Sequence, residues 1–164
     1  MGKSPGILPE RSASEAMILE SLQDPGNMGT IVRTAEGAGA TGIIMNNTTV
    51  DIYSPKVVRS TMGSIFRVPH IVVSDLESTI ETLKNDYRIS VFAAHLKGEK
   101  FYDELDFTGP TAFMIGNEGN GLTDEAASHA SSYLKIPMEG QLESLNASVA
   151  ASLLMYETHR QRRI

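Results

Sequence analysis

The chain has 164 residues, 41% of them hydrophobic and 21% charged, and it contains no cysteine. This length fits one compact domain, and no apolar run approaches the ~20 residues that span a bilayer, so a membrane protein is not expected. The lack of cysteine excludes disulfides and thiolate metal ligands, and the histidines lack the short spacing of metal sites, so no metal is expected. The formal net charge of −6 argues against a nucleic-acid binder unless basic residues are concentrated locally.

The N-terminal segment differs in composition from the rest of the chain. Residues 1–15 are rich in Gly, Pro and Ser and lack the apolar core of a secretory signal. We expect a flexible lead-in or linker end there and a cytoplasmic location. Because no composition shift follows, residues 16–164 are expected to form a single domain.

Strand-sized apolar runs alternate with helical stretches along this domain. The predicted strands cover residues 16–22, 42–45, 68–73, 89–94, 112–115 and 133–136. The predicted helices cover residues 29–39, 76–87, 124–130 and 145–162. Such alternation predicts an α/β fold in which helices flank a mostly parallel sheet.

The last predicted helix has an apolar face and several small residues. Its large apolar side chains fall three or four residues apart, at Leu145, Val149, Leu153 and Tyr156. Alanines at positions 147, 150 and 151 allow close packing. Because this helix is too long to be covered easily by so small a domain, it favours a homodimer.

The first predicted strand leads into a turn and a helix that carries an arginine. Residues 24–26, Asp-Pro-Gly, predict the turn, Asn27 is a candidate helix cap, and Arg33 lies about one turn inside the helix. An arginine beside a helix N-terminus suits an anionic ligand such as phosphate. A surface ion pair between Arg33 and Glu36 explains the pattern equally well.

A glycine-rich loop follows the fifth predicted strand. Residues 113–122, FMIGNEGNGL, hold Gly116, Gly119 and Gly121, so the backbone can approach a ligand closely. The spacing is not that of the dinucleotide fingerprint, and the P-loop lysine is missing, which argues against an NAD-dependent oxidoreductase and against ATP hydrolysis. Glu118 within this loop is, taken alone, typical of a solvated turn acid.

The sixth predicted strand ends in a polar loop before the last helix. Ser144 or Asn146 is expected to cap that helix. Since a cap needs one side chain, two polar groups around the apolar Leu145 also fit the lining of a pocket.

Taken in order, the three loops resemble the three sequence motifs of the SpoU/TrmH family of RNA 2′-O-ribose methyltransferases, which belongs to the SPOUT superfamily. The motifs read LQDPGNMGTIVRTAEGAGA (22–40), FMIGNEGNGL (113–122) and LKIPMEGQLESLNASVAASLLMYE (134–157). The segment KVVRSTMGSIFRVP (56–69) resembles an intervening family segment. The resemblance covers nearly the whole chain after Met17.

The resemblance implies a fold and a cofactor that spacing alone does not predict. It implies a deep C-terminal trefoil knot, which general rules of chain topology disfavour, and a homodimer. It further implies that S-adenosylmethionine binds in the knotted loops, at Gly116, Ile136 and Leu145, with Met138 and Ala94 adjoining.

The resemblance also implies a reaction centre and a contact with RNA. The reaction-centre positions are Asn27, Arg33, Glu118, Ser144 and Asn146, and the RNA contacts are Arg33, Arg59 and Ser60. A guanidinium stays protonated at neutral pH, so Arg33 is expected first as a phosphate or ribose anchor and second as a proton acceptor. Ribosomal RNA is expected as the substrate ahead of transfer RNA. The alternative is a non-catalytic RNA-binding or assembly module that retains the cofactor pocket.

Overall fold

Seven parallel strands form one central sheet within residues 14–163, the part of the chain that the computed structural model describes. The strands are β1 (Glu15–Leu19), β2 (Gly42–Asn46), β3 (His70–Val73), β4 (Ser90–Ala94), β5 (Lys100–Phe101), β6 (Thr111–Ile115) and β7 (Ser132–Lys135). Their order in the sheet is β3-β2-β1-β6-β4-β7-β5, with parallel pairing throughout. The predicted α/β class is confirmed, and the additional strand β5 is too short for its pattern to be recognised.

Helices cover both faces of the sheet. They are α1 (Pro25–Ala38), α2 (Pro55–Ser60), α3 (Leu76–Asn85), α4 (Asp124–Ala127) and α5 (Ala147–Arg162), with 3₁₀ turns at Ser64–Phe66 and Tyr102–Glu104. The prediction missed α2, which has only six residues. No helix within residues 14–163 has the length and apolar character that crossing a bilayer requires.

The N-terminal boundary of the domain differs slightly from the prediction. Residues 1–13, most of the predicted lead-in, lie outside the described residues. Glu15 already belongs to β1, and β1 ends at Leu19 rather than at residue 22. The strand cannot continue through Ser21, whose φ of 56° takes the backbone out of the extended region.

The sheet is buried on both faces because successive side chains of a strand point to opposite sides. On one side, Met17 and Phe113 pack among apolar residues of α1 and α5. On the other side, Ile18 and Met114 pack among apolar residues of α3 and α4. The result is a three-layer arrangement whose strand ends are left open for the loops.

Helix α5 packs on the sheet with the face that carries Leu154 and Met155, and two residues of its predicted apolar face, Val149 and Tyr156, lie outside. Its buried residues are Ser148, Ala151, Leu154, Met155 and Thr158. Val149 and Tyr156 remain 47% and 48% exposed. Together with Thr30 of α1, this outer face lines an open groove of about 310 Å³, which we call the α1/α5 groove (Thr30, Ser148, Val149, Ser152, Leu153 and Tyr156).

Glu15 is a buried carboxylic acid at the amino-terminal edge of the sheet. It is 1% exposed, and its Oε2 has no hydrogen-bond partner among the described residues. Burial raises the pKa of Glu15 from its ordinary value to about 7, although the Thr158 side chain and the Arg162 guanidinium partly oppose the shift. Glu15 is therefore protonated in the folded protein at mildly acidic pH.

Glu15→Gln is expected to change how stability depends on pH. The folded protein holds the Glu15 proton up to about pH 7, whereas the unfolded chain releases it near the ordinary glutamate pKa of 4.5. The stabilisation that the bound proton of Glu15 contributes to the free energy of unfolding is therefore complete below pH 4.5 and is lost as the pH rises to 7. Relative to the native chain, Glu15→Gln should gain up to about 3 kcal/mol between pH 4.5 and 8, measured by urea unfolding.

The control for this measurement is Glu99→Gln, which replaces an exposed glutamate. Its stability difference from the native chain should stay constant over the same pH range. A constant difference for Glu15→Gln as well would contradict the raised pKa.

Candidate functional site

The carboxyl ends of β1, β4, β6 and β7 lie at one edge of the sheet, where ligands bind in parallel α/β folds. The loops that follow these strands are residues 20–24, 95–99, 116–123 and 136–146. All the predicted cofactor positions lie at this edge: Ala94 ends β4, Gly116 follows β6, Ile136 follows β7, and Met138 and Leu145 lie in loop 136–146. The fold therefore gathers the predicted cofactor positions at the same edge.

This edge combines half-buried apolar side chains with available backbone groups. Ala94, Ile136, Met138 and Leu145 are all half-buried. No backbone amide of residues 138–145 donates to another residue within 14–163. Apolar surface beside unpaired amides suits a flat heteroaromatic ring with hydrogen-bonding edges, and adenine is such a ring.

Gly116 is required by the fold of its own loop. The loop folds back so that the Gly121 amide donates to the Asn117 carbonyl at 2.8 Å. A Cβ on the buried Gly116 would overlap the backbone of Gly121 and Leu122. The sequence predicted that glycine lets a ligand approach, and the structure shows that it first lets the two arms of the loop approach each other.

Glu118 joins two loops that are far apart in sequence. Its carboxylate accepts hydrogen bonds from the amides of Asp24 at 2.8 Å and Gln23 at 3.1 Å, and from Asn27 Nδ2 at 3.4 Å. Gln23 and Asp24 belong to the turn between β1 and α1, and Asn27 belongs to the first turn of α1. Glu118 is thus not merely the solvated turn acid that its own loop indicates.

The charge of Glu118 follows from the same contacts. Burial alone would raise the pKa of Glu118, but the hydrogen bonds from the Asp24 and Gln23 amides outweigh it and hold the pKa below its ordinary value. The side chain is therefore ionised at neutral pH. It acts as an acceptor that positions the β1–α1 turn, and it has no proton to donate.

The first helix begins earlier than predicted, and Asn27 is not its cap. Asp24 is the N-cap, its side chain accepts from the Asn27 amide at 2.9 Å, and Pro25 occupies the first helical position. Proline is favoured there because its missing N–H costs the helix nothing. Asn27 lies buried in the first turn, with its side chain directed to Glu118.

Arg33 lies more than two turns inside α1, rather than one, and its side chain is exposed. The ion pair with Glu36 is not formed, because Glu36 accepts instead from Arg67 Nε at 2.7 Å. Arg33 has no hydrogen bond or ion pair with any residue in the described range 14–163. Its guanidinium is therefore available to an external anion.

Asn146, and not Ser144, caps the last helix, which begins at Ala147. The Asn146 Oδ1 accepts from the Ser148 amide at 2.9 Å and from the Ser148 hydroxyl at 2.6 Å. Ser144 is exposed two residues earlier. No hydrogen bond between described residues links Arg33, Ser144 or Asn146 to one another or to Glu118.

The two remaining predicted RNA contacts lie on α2. Arg59 is exposed, whereas Ser60 is half-buried and its hydroxyl donates to the Lys56 carbonyl at 2.8 Å. Helix α2 packs against α1 at Gly29, where a Cβ would overlap the Ser60 side chain. This close approach places α2 beside the helix that carries Arg33, and sequence patterns gave no sign of it.

Metal ligands are not clustered at this edge. Within residues 14–163, no group of three or more His, Asp or Glu side chains is arranged to hold a metal ion. The site is therefore described by its loops, its apolar surface and its polar side chains.

Glu118→Gln is expected to loosen the β1–α1 turn. The amide oxygen can still accept from the Asp24 and Gln23 amides, but these hydrogen bonds lose the negative charge that strengthens them, at a cost of about 1 kcal/mol in unfolding free energy. Hydrogen exchange at the Gln23 and Asp24 amides should accelerate, while Glu99→Gln leaves it unchanged. Unaltered exchange in Glu118→Gln would show that the carboxylate does not hold the turn.

The comparisons with known proteins agree with this geometry. The model of the SpoU rRNA Methylase family matches residues 15–156. The chain belongs to this family. A Staphylococcus saprophyticus protein whose name places it in the TrmH family of tRNA/rRNA methyltransferases is 38% identical over 149 residues, covering 91% of this chain and 59% of that protein.

Two further SpoU relatives carry more specific descriptions. RlmP of Bacillus subtilis, named a 23S rRNA (guanosine(2553)-2′-O)-methyltransferase, is 34% identical over 88% of this chain and 58% of its own length. The SpoU methyltransferase AviRb of Streptomyces viridochromogenes, solved in complex with AdoMet, superimposes with a TM-score of 0.89 at 32% identity, covering 98% of this chain and 62% of AviRb. The chain thus spans about three fifths of the length of each of these three relatives.

Proposed function

We propose that this chain is an S-adenosylmethionine-dependent methyltransferase domain that modifies a ribose 2′-hydroxyl of structured RNA, with ribosomal RNA ahead of transfer RNA. The observation that carries the proposal is the assembly of the carboxyl-edge loops, in which Glu118 ties the glycine-rich loop to the β1–α1 turn. Membership of the SpoU family, the AdoMet complex of AviRb and the 2′-O specificity in the name of RlmP support it. An RNA substrate of this kind is consistent with a cytoplasmic location.

The cofactor would lie between the glycine-rich loop and loop 136–146. The half-buried Ile136, Met138 and Leu145, with Ala94 at the end of β4, provide the apolar surface for its adenine ring. Unpaired backbone amides of residues 138–145 can bond the ring edge. When bound, S-adenosylmethionine supplies a methyl group on a positively charged sulfur.

The polar residues of this chain align the substrate. The transfer would require the 2′-oxygen, the methyl carbon and the sulfur to lie in line and a base to take the hydroxyl proton, so the substrate must be held precisely. Arg33 anchors an adjacent phosphate or the ribose, because its guanidinium is exposed and unpaired. Glu118 and Asn27 hold the turn from which α1 begins, and Ser144 and Asn146 line the other side of the centre.

A C-terminal trefoil knot belongs to this proposal. Strand β7 lies between β4 and β5, so the connection from β4 to β5, residues 95–99, crosses over the carboxyl end of β7. The crossing is close, because a Cβ on Gly98 would lie 2.6 Å from the Leu134 carbonyl carbon. A chain that leaves β7 beneath this connection and continues into α5 becomes knotted.

A homodimer also belongs to this proposal. The α1/α5 groove exposes Val149 and Tyr156 along a helix whose other face, with Leu154 and Met155, is already buried in the core. Within one protomer, Arg33 is not bonded to Ser144 or Asn146. A second copy bound at this groove would cover the apolar face. It would also bring Ser144 and Asn146 of one copy close to Arg33 of the other, in a site shared by both.

Calorimetric titration and a transfer assay test the function. S-adenosylhomocysteine should bind without added metal, while NAD and ATP should not. Tritiated methyl groups should be transferred to unmodified ribosomal RNA. The phosphodiester linkage next to each methylated ribose should then resist alkaline hydrolysis. Binding of S-adenosylhomocysteine with no transfer to ribosomal or transfer RNA would favour the non-catalytic module, and binding of NAD or ATP in its place would reject the cofactor.

Arg33→Lys and Arg33→Ala separate anchoring from proton removal. Lysine keeps the charge but not the bidentate geometry, so Arg33→Lys should keep roughly a tenth of the native turnover, whereas Arg33→Ala should lose both turnover and RNA affinity. S-adenosylhomocysteine affinity should be the same in both variants. Complete loss of turnover in both, with RNA binding intact, would reject anchoring and assign a chemical role to the guanidinium.

A further inference from the structure

The segment from α2 through the following 3₁₀ turn, residues 56–67, directs two large apolar side chains into solvent. Phe66 is 80% exposed, more than any other large apolar side chain of the described residues. Met62 is 68% exposed. Two large apolar side chains this exposed, four residues apart in sequence, stabilise the folded protomer little and make the segment a candidate contact surface for a partner.

The backbone holds these side chains outward in a fixed turn. Met62 and Gly63 adopt left-handed conformations, with φ of 53° and 88°. A left-handed methionine is unfavourable because its Cβ crowds the backbone, so the surrounding contacts must impose it. The buried Thr61 and Ser64 do so on either side, the Ser64 amide donating to the Thr61 carbonyl at 3.0 Å.

The charge around the exposed side chains is mainly positive. Residues 52–74 contain Lys56, Arg59 and Arg67 but no Asp or Glu, in a chain whose net charge is −6. Glu36 of α1 pairs with Arg67, whereas Lys56 and Arg59 form no ion pair within residues 14–163. A cationic surface with an exposed aromatic ring is complementary to a polyanion that also has flat apolar faces. Unstacked nucleotides have both properties.

Helical spacing places this surface beside Arg33. On α1, Gly29 lies against Ser60, the last residue of α2. Glu36 binds Arg67, the last residue of the segment, with 2.7 Å between the atoms. Arg33 comes four residues after Gly29 and three before Glu36, so it lies on the same face of α1, between the two contacts.

We propose that Phe66 and Met62 form a stacking platform for an unpaired base of the RNA substrate, next to the nucleotide anchored by Arg33. Lys56 and Arg59 contact the flanking phosphates. The inference rests on the proposed function and deepens it by naming the substrate class, which is RNA that is single-stranded at the target. A continuous A-form duplex keeps its bases stacked and cannot offer a free face.

The test compares a hairpin RNA that has an open loop with a fully paired duplex of matched length, by fluorescence anisotropy on the intact protein. Phe66→Ala should weaken hairpin binding on the order of 10-fold and change duplex binding less than about twofold. Phe66→Tyr should restore the hairpin affinity, since the ring is kept. Val72→Ala, which trims an exposed apolar side chain on β3, is the matched control and should change neither affinity.

Salt titration separates stacking from charge. Arg59→Ala should lower the slope of log affinity against log salt by about one unit, because one phosphate contact is lost, whereas Phe66→Ala should leave the slope unchanged. S-adenosylhomocysteine affinity should be native in every variant, which also shows that each is folded.

Three results would overturn the platform. They are an unchanged hairpin affinity in Phe66→Ala, an equal loss for hairpin and duplex, and a shift of Phe66→Ala from dimer to monomer, which would mean that a second copy covers the ring. None of these affects the proposed function, whose failure would instead appear as a native protein that binds no S-adenosylhomocysteine and transfers no methyl group.

Discussion

Gly116→Val is expected to reduce the affinity for S-adenosylhomocysteine by at least about 100-fold while the sheet stays folded. The new side chain meets backbone atoms of Gly121 and Leu122, which cannot rotate away as a side chain tip would. The two arms of the loop must separate, and the surface proposed for the cofactor is lost with them. Calorimetric titration measures the affinity, and circular dichroism measures the folded state.

A glycine three residues further along the same loop provides the control. A Cβ on Gly119 would lie 3.5 Å from the nearest atom, Asn117 Oδ1, which is an ordinary contact. Gly119→Ala should therefore bind S-adenosylhomocysteine like the native chain. Native affinity in a folded Gly116→Val protein would remove this loop from the cofactor site.

Val149→Glu is expected to convert the proposed dimer into a folded but inactive monomer. Val149 is 47% exposed in the α1/α5 groove, so a carboxylate there would be buried without a partner when a second copy binds. We expect the dimer dissociation constant to rise on the order of 100-fold or more, together with loss of methyl transfer. Light scattering at micromolar concentration measures the association.

The position of Val149 separates association from folding. It is the third residue of α5, after the Asn146 cap, where a glutamate favours the helix through its dipole and by bonding back to the cap. The free protomer should therefore be at least as stable as the native chain. Val72→Glu, the same change on the exposed edge strand β3, should remain dimeric, and a dimeric Val149→Glu protein would place the interface elsewhere.

Most of the sheet and all three loops could be read from local patterns. Strand-sized runs such as residues 112–115 and helical stretches such as residues 76–87 have periods that depend only on near neighbours in sequence. Asp-Pro-Gly at residues 24–26 marks a turn for the same reason. The same turn pattern hides the start of α1. Pro25 is typical both of a turn and of a first helical position, so the sequence predicts Asn27 as the cap, whereas Asp24 is the N-cap.

The roles of the charged side chains depended on distant parts of the chain. Glu118 looks solvated within its own loop, and it is held because the β1–α1 turn and the first turn of α1 bring three donors to it from more than 90 residues away. Glu36 has Arg33 at helical spacing, yet it binds Arg67, which leaves Arg33 unpaired. A local pattern cannot predict which of two nearby cations forms the ion pair with a carboxylate.

Which face of α5 turns inward is the clearest case of tertiary control. Val149 and Tyr156 have the period of a core-facing stripe, but the face that packs against the sheet and α1 is the one that carries Ala151, Leu154 and Met155. Periodicity specifies that a helix has an apolar face, because that property is local. Whether the face meets the core or a second surface depends on the space that the other elements leave, and that is set by contacts between residues far apart in sequence.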